Sequence, residues 1–224
     1  MSGYSSAVNF LVLPGVYAPQ EDTELLAGAL ADEPLPTGAE VLEVGTGSGA
    51  LALKAARRGA RVTAVDVSRR AVCTARLNAW RTRLPVRFLH GDLFEPVRGR
   101  SYDLILANPP YMPTPAADTE PRGSARAWDA GHDGRLVLDR ICREGPELLR
   151  PGGVLLLVHS SLSGPDRTVE WLRAAGLKAA VSRRCRIPFG PVMRAREEWL
   201  RQRGLLSAAD EKEELVVVRA ERTV

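Results

Sequence analysis

The sequence predicts a doubly wound α/β fold on a seven-stranded, mostly parallel sheet. Short apolar runs alternate with amphipathic helical stretches, the order expected of parallel strands joined by covering helices. The early runs stop at glycines, at Asp66 or at Asn108-Pro109-Pro110, residues that end strands and open loops. With 224 residues, 45% of them apolar, the chain can bury one large core without disulfides or metals to staple it.

Each element has a local reason. Residues 41–44 are a short apolar strand ending in glycines, and 50–58 follow as a helix. Residues 61–65 are β-branched and stop at Asp66, after which Ser68 caps a helix running to about Trp80. Strands follow at 86–89 and 102–107. Residues 112–132, rich in Pro, Ala, Gly and Asp, read as a loop. Leu136, Val137, Ile141 and Leu148 stand at helical spacing and predict a helix over 133–149. Pro151-Gly152-Gly153 turns the chain into a strand at 154–158, and a helix follows at 166–175. Strands at 177–181 and 215–219 close the sheet, separated by an arginine-rich insertion, 183–212, with a helix over 192–203. The whole chain, 1–224, reads as one domain behind an N-terminal lead segment, 1–39.

Composition narrows the function classes. The net charge of +4 is mild and argues only weakly for an anionic partner. Cys73, Cys142 and Cys185 are widely spaced without a CxxC pair, which speaks against a zinc site and for a reducing, cytoplasmic compartment. His90, His132 and His159 are not spaced as metal ligands, and His159 reads as a core-edge residue. Residues 1–19 lack the basic start and long apolar run of a signal peptide. No stretch is long and apolar enough to span a bilayer.

Two motifs carry chemistry. Gly45-Thr46-Gly47-Ser48-Gly49 joins a strand to a helix, allowing a tight turn and close ligand approach beside free helix N–H groups. Asp66, at the end of the next strand, is placed to accept from both ribose hydroxyls of an adenosine. Gly45, Gly47 and Ala50 also fit the looser dinucleotide fingerprint, so the loop alone leaves NAD open. Glu43, a carboxylate inside an apolar strand, is expected to face the cofactor cleft. Asp92 is expected at the adenine amino group, with Leu93 against the ring.

Asn108-Pro109-Pro110-Tyr111 follows the fourth strand, at the sheet edge where open α/β folds bind ligands. The Asn108 oxygen and the Pro109 carbonyl can each accept a hydrogen bond from one NH₂ group. Pro110 fixes the backbone before it, and Tyr111 offers a flat face to a planar group. Two acceptors gripping the protons of an amide or exocyclic amine would orient its lone pair toward an electrophilic methyl group. A nicotinamide dehydrogenase has no use for this tetrapeptide, so the ambiguity resolves toward S-adenosylmethionine.

With these motifs in order, the sequence resembles the class I, Rossmann-like S-adenosylmethionine methyltransferases. More narrowly, it resembles the short HemK-type protein-glutamine N5-methyltransferases that modify the eukaryotic and archaeal class of translation release factor. Val16-Tyr17-Ala18-Pro19-Gln20-Glu21-Asp22-Thr23 looks like the family's opening segment, and Ala127-Trp128-Asp129-Ala130-Gly131-His132-Asp133-Gly134 resembles its Trp-Ala-Gly-Gly stretch beside the substrate. The likeness covers roughly residues 15–180 and implies an antiparallel last strand. It implies cofactor contacts at Thr23, Glu43, Gly45, Asp66, Asp92 and Asn108, and Tyr17, Gly47 and Leu93 are expected to bind the cofactor beside them. It places Trp128 and His132 at the substrate, and the grip on the amide at Asn108 and Pro109. It also implies a small zinc-binding activator subunit as a partner. Gln20, His132 and the length of the 183–212 stretch depart from the pattern, and the chain lacks the helical substrate-docking domain of the bacterial enzymes.

The chemistry points to N-methylation of a planar nitrogen, with a protein glutamine as acceptor. Methylation of an exocyclic amine of adenine or guanine in RNA or DNA, or of a small secondary metabolite, remains open at this stage. So does a scaffold that only binds the cofactor, against which the intact tetrapeptide argues. The arginines of 183–212 read either as a solvated face or as a clamp on RNA or an acidic protein.

Overall fold

The computed structural model describes residues 10–115 and 128–223. Its sheet has seven strands: β1 (Glu40–Val44), β2 (Arg61–Asp66), β3 (Val86–His90), β4 (Tyr102–Ala107), β5 (Leu149–Ser160), β6 (Leu177–Pro188) and β7 (Lys212–Arg222). Their spatial order is β3-β2-β1-β4-β5-β7-β6. The pairs among β1 to β5 are parallel, and β7 runs antiparallel to both β5 and β6. The chain winds outward from β1 through β2 to β3, then returns to β4 on the other side of β1. The crevice at this reversal, above the carboxyl ends of β1 and β4, is where such sheets bind ligands.

Period-two alternation divides the strands between two cores. Val41, Leu104, Leu106, Val154 and Leu156 point to one face, under α1 (Glu21–Asp32), α2 (Ala50–Arg57) and α3 (Arg69–Thr82). Leu42, Val44, Ile105, Leu155 and Leu157 point to the other, under α4 (Leu138–Glu144) and α5 (Pro165–Ala174). With both faces covered, central strands must be apolar throughout, and each fully buried Leu or Val stabilises by roughly 1.5–3 kcal/mol. The Ser68 side chain does cap α3, accepting from the Ala71 amide at 3.3 Å.

The structure departs from the sequence expectation at α1, α4 and β6. α1 lies in the lead segment, where no helix is expected. It seats Leu26, Ala27, Ala29 and Leu30 on the sheet, and its first turn carries Glu21, Asp22 and Glu24, which suit a helix N-terminus. The helix expected over 133–149 shrinks to α4 and a 3₁₀ turn at Gly145–Leu148. Gly131 and Gly134 are left-handed at φ +79° and +72°, and Pro146 lacks the N–H needed to continue an α-helix. The long loop expected over 112–132 lies partly outside the described residues, as do residues 1–9 and Ala127.

β6 overruns its expected end at 181 and pairs with β7 as far as Pro188↔Lys212, after a register shift between Val181 and Arg183. Arg183, Arg184 and Arg186 therefore lie on the last strand of the sheet. Charged side chains there discourage pairing with another chain. Arg184 and Arg186 contact Glu214, and Arg183 contacts Asp32. α6 (Pro191–Gln202) follows and packs Met193 and Leu200 against Met112 and Phe189. No helix among the described residues is long and apolar enough to cross a membrane.

Candidate active site

A cavity of about 1430 Å³ runs along the carboxyl edge of the sheet, with the glycine loop at one end and the stretch after β4 at the other. Gly45, Gly47 and Gly49 all have positive φ, at 73°, 55° and 84°. A Cβ on Gly49 would sit 3.0 Å from that of Ala75, so packing of α3 on the loop requires glycine there. The Asp66 carboxylate accepts from the Gly47 amide at 2.9 Å and the Ser68 amide at 2.8 Å. Burial raises its pKa, opposed by those two amides.

Glu43 lines the cavity, but one of its oxygens, Oε2, is shared by the Thr46 hydroxyl and the Ala52 amide. It therefore occupies an N–H group of α2 that the sequence would leave to a ligand. Burial pushes its pKa up to about 8. Asp92 also lines the cavity, yet both its oxygens are held by Arg140 at 3.1 and 2.8 Å. An adenine amino group would meet a carboxylate neutralised by arginine there. Leu93 adopts a left-handed φ of +43°, an uncommon conformation for a non-glycine residue.

At the other end, Asn108, Pro109, Pro110 and Tyr111 all line the cavity. The Asn108 amide nitrogen donates to Thr23 Oγ1 across a long 3.4 Å, which directs the nitrogen to α1 and leaves Oδ1 for another donor. Thr23 in turn donates from both its hydroxyl and its amide to Asp22 Oδ1. Asp22 Oδ2 accepts from the hydroxyls of Tyr17 at 2.7 Å and Tyr111 at 3.1 Å. Asp22 is thus a buried hub that sequence reasoning passed over, although it stands beside Thr23. Burial and the neighbouring Asp22 raise the pKa of both tyrosines, so both phenols stay protonated and neither serves as a base.

The tetrapeptide is braced from behind. Ser163 donates to the Tyr111 carbonyl at 2.7 Å, and a Cβ on Gly134 would lie 2.3 Å from that oxygen and 2.7 Å from Ser163 Oγ. Gly134→Ala should therefore destabilise the fold by about 3 kcal/mol, through overpacking at a positive φ. Urea unfolding checks this, and a loss below about 1 kcal/mol would contradict the packing. Trp128 lines the cavity and packs on the α6 cluster. His132 is not among the cavity-lining residues. Arg196 on α6 donates to the Pro113 carbonyl at 3.0 Å and pairs with Asp129, pinning both stretches that flank the acceptor end. His159 is fully buried, and burial pushes its pKa down to about 4. Among the described residues no group of three or more His, Cys, Asp or Glu could hold a metal ion.

The sequence profile of the methyltransferase small domain matches residues 7–120. The chain belongs to this methyltransferase family. A relative from Methanocaldococcus jannaschii, provisionally named a protein N5-glutamine methyltransferase, is 39% identical over 80% of this chain and 90% of its own. A release factor glutamine methyltransferase from Moorella thermoacetica is 38% identical over 76% of this chain, which spans 63% of that longer protein. Among solved structures, the E. cuniculi Mtq2–Trm112 complex, responsible for methylating the termination factor eRF1, matches at TM-score 0.66. It shares 22% identity and covers 93% of this chain and 99% of its own. At that identity the likeness concerns the fold, and it extends to the antiparallel last strand.

The chain is a HemK-type class I methyltransferase, and its cofactor is S-adenosylmethionine. The residues fit that cofactor. A buried carboxylate ends β2, a loop without side chains at Gly45 and Gly47 faces the crevice, and Leu93 supplies an apolar wall.

Proposed function

We propose that this methyltransferase modifies the side-chain amide nitrogen of a protein glutamine, in a translation release factor. The observation that carries the reading is the Asn108 carboxamide, whose nitrogen is engaged by Thr23 while its oxygen stays available beside the Pro109 carbonyl. When bound, S-adenosylmethionine supplies an electrophilic methyl group on a sulfonium. This chain's part is to position the acceptor. Asn108 Oδ1 and the Pro109 carbonyl take the two amide hydrogens and turn the nitrogen lone pair toward the cofactor end. Asp66, Gly45 and Gly47 hold the nucleoside, while Thr23 and Asp22 fix the Asn108 carboxamide. The Tyr111 ring walls the acceptor amide. An amide nitrogen acquires an acidic proton only as it gains the methyl group, so no strong base is required beforehand, and preorganised acceptors provide the rate gain.

Two observations favour a protein acceptor over RNA or DNA. Glu21, Asp22, Asp129 and Glu213 line the cavity towards the tetrapeptide, whereas its lining arginines, Arg69, Arg70 and Arg140, stand on α3 and α4. A phosphodiester would be repelled there. The arginines from 183 onward that could have formed a clamp are largely paired: Arg183, Arg184, Arg186, Arg196 and Arg201 all have carboxylate partners. The names of the relatives support glutamine, and the fold-matched complex supports a small activator subunit as a partner. The same reading places the enzyme in the cytoplasm, where release factors act.

The test is to incubate the enzyme, alone and with a candidate activator, with recombinant release factor and methyl-labelled cofactor, then to locate the label by tandem mass spectrometry. One methyl group on a glutamine side chain is the expected result. Label confined to nucleic acid in a parallel lysate digest would overturn the reading.

A further inference from the structure

Glu213 is a buried carboxyl that the proposed chemistry leaves unused. It opens β7, whose start lies at the carboxyl edge of the parallel strands because β7 is antiparallel. The residue is 6% exposed, lines the acceptor end of the cavity, and its Oε1 has no hydrogen-bond partner among the described residues. An unpaired buried carboxyl is costly unless a ligand completes it. Its surroundings point to the kind of ligand. Glu21 and Asp22 of α1 raise its pKa together with burial, which is the larger cause, and the Ser160 hydroxyl is the one lowering influence. Burial and the two neighbouring carboxylates hold it at about 7. Asp22 is already saturated by Tyr17, Tyr111 and Thr23, and Asp129 is paired with Arg196. Among the described residues, Glu213 and Glu21 are carboxyls of that wall left without an ion-pair partner.

We infer that the acceptor end of the cavity contains an anionic subsite, built on Glu213, that takes a cationic side chain of the acceptor peptide close to the modified residue. The inference rests on the protein-glutamine reading and adds the class of sequence that the site prefers. A lysine or arginine side chain supplies both things the site lacks, a donor for Oε1 and a positive charge against Glu21, Asp22 and Glu213. Acidic neighbours would be excluded by the same wall.

The experiment uses short peptides with a central glutamine flanked by lysine, leucine or glutamate. Binding is measured by calorimetry in the presence of the demethylated cofactor, and methyl transfer is followed on the same peptides. The lysine peptide should bind about tenfold more tightly than the leucine peptide, the gain expected of a partly desolvated ion pair. In Glu213→Gln, which is nearly isosteric, the preference should fall to within about twofold. Retained affinity for the demethylated cofactor shows that this variant is folded. Indistinguishable binding of the three peptides by the unaltered enzyme, absence of binding included, overturns the inference, as does a preference that survives Glu213→Gln. A charge preference without any methyl on glutamine would instead refute the glutamine reading and leave the subsite standing.

Discussion

Asn108→Ala is expected to lower the turnover number for methyl transfer by on the order of 10²–10³-fold, the usual cost of removing one preorganised polar group from a developing charge. The side chain is well placed for a clean test. Among the described residues its side chain makes one hydrogen bond, the 3.4 Å donation to Thr23, so the loss of fold stability should stay near 1 kcal/mol or below. What the variant loses is the acceptor that holds one amide hydrogen and keeps the nitrogen turned to the cofactor end. The Pro109 carbonyl remains, because backbone is untouched, and one acceptor alone allows the amide to rotate. Steady-state kinetics with a release factor substrate, beside calorimetry with the demethylated cofactor, separates the effects. Turnover should collapse while cofactor affinity changes by no more than about tenfold. Turnover within tenfold of the unaltered enzyme would remove Asn108 from the role assigned to it.

How far the molecule can be read from its sequence follows from the range of the interactions involved. The first four strands are legible because β1 to β4 are apolar runs bounded by glycine, aspartate or proline. The glycine loop and Asn108-Pro109-Pro110-Tyr111 are legible because each packs its chemistry into a few consecutive residues. The features that escape are pairings between distant elements. Tyr111 and Asp22 are 89 residues apart, Asn108 and Thr23 85, and Arg140 and Asp92 48. No local pattern announces them, because they exist only once α1 and α4 have docked on the sheet. α1 itself escapes because Gln20 provides no side-chain cap and the helix follows a proline-containing lead segment. β6 is misjudged for a different reason. An edge strand needs no apolar outer side, so its arginines resemble a loop until the pairing with β7 is seen.

Asp22→Ala should cost more than any other single change near the cavity, in stability and in activity together. Four donors converge on this carboxylate: the Tyr17 and Tyr111 hydroxyls, the Thr23 hydroxyl and the Thr23 amide. Alanine strands all four, and each buried donor left without a partner costs about 1–3 kcal/mol. Water entering the space recovers part of that, so a net loss of about 3–5 kcal/mol is expected from denaturant unfolding. Asp22→Asn keeps the shape but replaces one accepting oxygen by a donating nitrogen, and should lose roughly half as much. If Asp22 acts by positioning Asn108 through Thr23, its effect on turnover must depend on Asn108. A double-mutant cycle therefore decides the matter. In an Asn108→Ala background, Asp22→Asn should reduce turnover by only about twofold, against an order of magnitude or more in the unaltered enzyme. Equal reductions in the two backgrounds would mean that Asp22 supports the fold without orienting the carboxamide, and that the path from α1 to the acceptor amide does not run through Thr23.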